Sequence, residues 1–233
     1  MSSLGAVPGG VLWAAVSLLI YGVARRVYLR LRMPLLHPVL LTIALLILLL
    51  QAAGIEYEAY MEGGRYISFF LGPSVVALGV PLYLRLQEMK RAAPAMLTAV
   101  VFGSLVGIVS VVVPALLLGA PGIVVRSLAP KSITTPIAIV VAESIGGDAS
   151  LSAAFVVLTG ILGAVIGPVV LRIVGVRHPV AFGLAMGCAA HGIGTARALE
   201  QGPLEGAAGG LGICLCGVMT SILTPPLVSL LLP

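Results

Sequence analysis

The chain has 233 residues and a formal net charge of +5, with 60% hydrophobic and only 9% charged residues and a mean hydropathy of +1.18. Soluble domains carry roughly 25% charged residues, so a water-facing surface cannot be covered and a soluble fold is excluded. Nor does the positive charge point to nucleic acid, because Lys and Arg in a membrane protein mainly mark the loops left in the cytoplasm.

A first span is predicted over about residues 5–24. The basic cluster Arg25, Arg26, Arg30 and Arg32 follows this apolar run instead of preceding it. That order is wrong for a secretory signal and predicts a retained span with the N-terminus outside. A second span is predicted over about 34–54, within the charge-free window Met33–Ile55. Residues 56–65, with Glu56, Glu58, Glu62, Tyr57 and Tyr60, read as an outer interfacial loop, since Tyr favours headgroup level. A third span is predicted over about 66–84, a basic cytoplasmic loop over 85–91, and a fourth span over about 95–118. His37 and His178 each precede a proline at a membrane edge and read as interfacial.

The pattern then changes. Residues 126–148 carry Arg126, Lys131, Glu143 and Asp148 among prolines and glycines. A span over about 150–171 follows, and Arg172 and Arg177 place its end in the cytoplasm. Parity requires that 128–146 enter and leave on the outer side, as a re-entrant hairpin or broken helix. Backbone of that kind is tolerated at depth only where it faces protein or water. The same anatomy returns in 179–204, which is Gly-rich and holds His191 and Arg197, before a last charge-free span over about 206–232. Lys131-Ser132-Ile133-Thr134-Thr135-Pro136 aligns with His191-Gly192-Ile193-Gly194-Thr195-Ala196 at an offset of 60 residues. Charge parity gives the two units opposite orientation, an inverted repeat. Leu71-Gly72-Pro73-Ser74 is a weaker third echo.

The expected fold is therefore an all-α polytopic membrane protein. It has about six full spans and two re-entrant or broken-helix units; seven or eight spans is the alternative count. Residues 1–125 supply scaffold helices and 126–233 the repeat units, in one integrated membrane domain.

A charged group at depth costs about 2.5–3.5 kcal/mol on insertion scales, so Lys131, Glu143, Arg197 and Glu200 require a purpose. Either they line an aqueous site, or Lys131 and Arg197 snorkel to an interface or pair with Glu143 and Glu200. In the first reading Lys131 and Arg197 attract a small anion. Ser132, Thr134, Thr135 and Thr195 donate hydrogen bonds, and broken helices add free N–H groups. Gly192 and Gly194 permit close backbone approach by a ligand or a neighbouring helix. His191, Glu143 and Glu200 are the candidate proton carriers for coupling; His191 as a structural hydrogen-bond partner is the plainer alternative. Cys188, Cys214 and Cys216 lack metal-ligand spacing and read as small packing residues. No nucleophile elbow, zinc motif or phosphate loop occurs, and Lys131-Ser132 lacks the loop glycines. No enzyme activity, cofactor or metal is expected.

Pro130 to Ala138, Glu143-Ser144-Ile145-Gly146-Gly147, His191 to Glu200 and Leu71 to Leu78 together resemble the LrgB/CidB membrane protein family over nearly the whole chain. Tyr57 to Tyr60 followed by Gly63-Gly64 fits the same pattern. Ile139-Val140-Val141-Ala142 departs from it, lacking an additional acid expected there. The resemblance implies one of two functions in a bacterial cytoplasmic membrane. One is a holin-like or antiholin-like regulator of murein hydrolase export and autolysis, with a small LrgA/CidA-type partner. The other is transport of a small carboxylate such as pyruvate, glycolate or glycerate, since the plastidic glycolate/glycerate translocator is related. A carrier this small also needs a stationary scaffold, for which a homodimer is the expected form.

Overall fold

A computed structural model of the chain describes residues 9–31, 36, 38–70, 73, 79–84 and 86–232. The Leu71–Leu78 motif, apart from Pro73, and His37 lie outside the described residues. The described residues are helical, without strands, and separate into two compact units, 1–77 and 78–233. Five described helices are long and apolar enough to cross a membrane: Gly10–Leu31, Lys90–Leu117, Ala149–Ile173, Pro179–Leu199 and Pro203–Leu231. The chain is thus a multi-pass helical membrane protein.

In the first unit, α1 (Gly9–Leu31) packs on α2 (Pro38–Ala53) and α3 (Tyr57–Phe69). The α1–α3 crossing is close because neither backbone carries a side chain there. Gly63 sits against the carbonyl of Gly10 and the Cβ of Trp13. Ser17 Oγ is 3.0 Å from the Tyr60 hydroxyl, and Trp13 meets the Tyr60 ring edge-on. Two expectations are corrected here. Residues 57–65 are helix and not loop: Glu, Ala, Tyr and Met keep helical geometry readily, and the buried Gly63 face gives α3 something to pack against. Arg25, Arg26 and Arg30 lie within α1 instead of beyond it, because long basic side chains let a helix continue past the apolar layer.

The second unit contains α4 (Gly79–Leu84), α5 (Leu86–Leu117), α6 (Gly122–Leu128), α7 (Thr135–Ser144), α8 (Ala149–Ile173), α9 (Pro179–Leu199) and α10 (Pro203–Leu231). Residues 86–91, expected as a basic loop, are the first turns of α5. The predicted spans over 150–171 and 206–232 correspond to α8 and α10.

Helix α9 is not a straight rod. Ala190 (φ −135°, ψ 19°) and His191 (φ 41°, ψ −129°) leave helical geometry. Beyond them the chain doubles back. Gly194 touches the carbonyl of Met186, and Gly209 of α10 is flanked by both Thr195 and Gly183. In a continuous helix, residues 183 and 195 would stand about 18 Å apart. Residues 179–189 are therefore one arm of a hairpin and 192–199 the other. Gly183 lies against Glu205 and Leu199 against Gly206, so both arms have their bases at the start of α10.

Helices α6 and α7 form a comparable hairpin around the non-helical stretch 129–134. Asp148 N donates to Ser127 Oγ at 2.8 Å, which joins the outer end of the returning arm to α6. Gly122, where this hairpin begins, lies beside Leu232 at the far end of α10. The two hairpins thus start at opposite ends of α10. The two hairpins share one apolar core: Ile133 and Ala138 from the first, Val180 and Leu184 from the second, and Cys216 of α10.

Candidate functional site

The tips of the two hairpins converge on the middle of α10. From the second, Cys188 Sγ donates to the Gly212 carbonyl at 3.6 Å, and Cys216 Sγ donates to the Cys188 carbonyl at 3.5 Å. From the first, Ile137 lies 3.4 Å from the Cβ position of Gly217. Ser104 of α5 adds a hydroxyl 3.5 Å from Cys216 Sγ, and Thr220 adds another at 3.6 Å. Gly212 is roughly 13 Å along α10 at 1.5 Å per residue, so the meeting point is at depth.

Lys131 stands at the first tip. It is half-buried, its Nζ donates to Ser132 Oγ at 3.2 Å, and it is within electrostatic reach of Cys216. Among the described residues it has no carboxylate within ion-pair distance. Thr134 takes the N-cap position of α7, with extended backbone and Pro136 in the first turn, yet its side chain makes no capping bond. The first turn of α7 therefore keeps its positive end directed into the tip. Ser132, Thr134 and Thr135 are half-buried beside it.

His191 stands at the second tip. Its Nε2 lies 3.0 Å from the Val156 carbonyl of α8. A carbonyl can only accept, so Nε2 carries the proton. The ring fills the notch left by Gly160, where an added Cβ would lie 2.6 Å from Cε1. His191 is the one non-glycine with positive φ among the described residues, and such backbone costs about 1–3 kcal/mol when it is not glycine. The imidazole bond to α8 holds the turn against that strain. His191→Gly is therefore expected to melt above His191→Ala by roughly 1–3 kcal/mol equivalent. Both lack the ring, and only alanine keeps the strain; equal melting would show that the turn relaxes freely.

The two glycines of this motif have different duties. Gly194 is wedged on Met186 and Ala190, whereas a Cβ at Gly192 would meet nothing within 4 Å. Gly192→Ala should be tolerated in yield and thermal stability, while Gly194→Ala should open the hairpin and lose monodisperse protein on size exclusion. Thr195, on the returning arm, is buried against Gly209 of α10, and its hydroxyl makes no hydrogen bond among the described residues.

The other predicted residues lie away from the tips. Arg197 pairs with Glu200 near the base of the second hairpin. Glu143 is exposed near the outer end of α7. Of the three candidate proton carriers, His191 alone sits at a tip. The sequence does not mark Cys216 as lying within electrostatic reach of Lys131, nor Ser104, Cys188 and Thr220 as the groups around its thiol; they are distant in sequence and only the packing of the hairpins assembles them. No cluster of three or more metal-ligating side chains occurs among the described residues.

Residues 17–230 match the family model described as LrgB-like. The chain is similar to the holin-like protein CidB of Staphylococcus epidermidis, 32% identical over 220 residues that cover 94% of this chain and 96% of the relative. It is similar to the antiholin-like protein LrgB of Bacillus mycoides, 33% identical over 211 residues, covering 90% and 92%. It is also 37% identical over 200 residues to YxaC of Bacillus subtilis strain 168, covering 86% and 87%. No solved structure matches the chain.

Proposed function

The chain belongs to the LrgB-like family, and from that premise we propose that it is a secondary carrier for a small carboxylate in the bacterial cytoplasmic membrane. The observation that carries this reading is the meeting of two hairpin tips at mid-depth beside a half-buried lysine that has no carboxylate partner among the described residues. Hairpins that start at opposite ends of one helix fit an inverted repeat. In such folds, broken helices present free backbone groups to an anion near the midplane while the two halves rock around it. Lys131 supplies charge, Ser132, Thr134 and Thr135 supply hydroxyls, and the start of α7 supplies its dipole. One fixed cation at the tips suits one carboxylate, as in pyruvate, glycolate or glycerate. Arg197, already neutralised by Glu200, serves the base of the second hairpin. Coupling falls to His191 before Glu143 or Glu200, because it alone lies at depth. The carrier works as a homodimer with its N-terminus outside.

The relatives' names favour a second reading more directly than they favour transport. CidB is named holin-like and LrgB antiholin-like. By that analogy the chain regulates murein hydrolase export and autolysis with an LrgA/CidA-type partner. The two readings separate in proteoliposomes holding the chain alone. A carrier gives counterflow of labelled pyruvate or glycolate while retaining an entrapped dye. A holin-like protein releases the dye without solute preference, and a partner-dependent regulator does neither until the partner is added.

A further inference from the structure

A cavity of about 290 Å³ opens at the base of the second hairpin, far from the tips. The end of α8 contributes Arg172, the following loop Val176 and Arg177, the outgoing arm Phe182, and the start of α10 Glu205. Doubling back of α9 creates the cavity, since it brings residues 179–183 and 200–205 to the same end as Arg172. Neither arginine has a carboxylate within ion-pair distance among the described residues. Glu205, the one acid in the wall, folds back onto Gly202 in the first turn of its own helix. There the positive end of α10 holds it, and the two guanidinium groups remain for an outside anion. Arginine forks match phosphate oxygens two at a time. Beside the cavity, Ile173 and Val174 are 78% and 66% exposed, an apolar flank that a free inorganic ion would not use and an acyl chain would cover.

We propose that this cavity is a binding site for the phosphate headgroup of an anionic phospholipid, with Arg172 and Arg177 as its ligands. Basic pockets between membrane helices suit such headgroups. The lipid ties the end of α8 to the base of the second hairpin and so steadies the element that ends at His191. The proposal is independent of what the tips carry.

The test uses the purified full chain in mixed micelles with phosphatidylglycerol or phosphatidylcholine, read by native mass spectrometry and thermal melting. Wild type is expected to retain phosphatidylglycerol and to melt higher in it than in phosphatidylcholine. Arg172→Gln/Arg177→Gln should weaken retention by roughly thirtyfold, at about 1 kcal/mol per cation near the headgroup region. Its melting in phosphatidylcholine should match wild type, which shows that it folds. Lys90→Gln/Arg91→Gln in α5 removes the same charge from exposed positions outside the cavity and should keep retention. Should the double variant not purify, either single substitution is expected to weaken retention on its own. Equal retention by the two double variants would overturn the proposal, as would displacement of the lipid by millimolar inorganic phosphate.

Discussion

Replacing Gly187 with leucine is expected to destroy the fold of the second unit. Gly183 and Gly187 on the outgoing arm of α9 face the backbone of α10, and a Cβ on either would overlap a carbonyl, Glu205 for the first and Gly209 for the second. Gly209 and Gly212 answer from the α10 side, with no more than 3.1 Å between their Cβ positions and the nearest atoms. Within a helix, Gly→Ala normally stabilises by roughly 0.5–1 kcal/mol. Here the sign inverts, because the obstacle is backbone and cannot rotate away. Overpacking costs about 1–3 kcal/mol even where side chains can yield, so the leucine variant should lose at least that. For a chain of this size, 3 kcal/mol corresponds to roughly 10 °C in melting temperature. Gly103→Leu and Gly22→Ala are the controls: both sites are helical with nothing within 4 Å, and neither substitution should lower it. Heating followed by fluorescence-detected size exclusion reads all three. A Gly187→Leu protein as stable as wild type would mean that the outgoing arm does not lie on α10.

That contact also shows what could be read without coordinates. The charge-free windows marked α8 and α10 to within a few residues, because a bilayer core leaves long apolar runs no other stable state. Thr134-Thr135-Pro136 and the Gly-rich stretch after His191 marked the chain breaks, since proline and glycine weaken a helix locally. Residues 57–65 misled because acids and tyrosines suit an interface and a helix equally well; Gly63, the residue that decides, acts only through α1. Residues 86–91 misled for the same reason, as basic residues continue α5 without interruption. Arg197 drew attention by its charge, yet Glu200 three residues on was its partner within one helical turn. Cys216 read only as a small packing residue, although it lies where both hairpins end. Local sequence marks where a helix breaks, whereas the partner of each break depends on which glycine faces which backbone.

Lys131→Met is expected to abolish carboxylate counterflow while raising thermal stability. The ammonium is half-buried with, among the described residues, a single hydroxyl for a hydrogen-bond partner, and a charge at depth costs about 2.5–3.5 kcal/mol. Methionine keeps the length of the side chain and removes that cost, so the folded protein should gain. The same charge, when a carboxylate arrives, offsets the solute's own desolvation. Its loss should therefore cost a similar amount in binding, or roughly 100-fold or more in uptake at low substrate. Opposed changes in stability and activity are the mark of a group kept for function. A lysine that merely snorkels would show neither change. Arg197→Gln provides the contrast: Glu200 already holds that guanidinium, so its loss should weaken uptake less than Lys131→Met does. Lys131→Arg retains the charge and should keep measurable counterflow. Uptake by Lys131→Met equal to wild type would remove the anion site from the hairpin tips and leave the holin-like reading the stronger of the two.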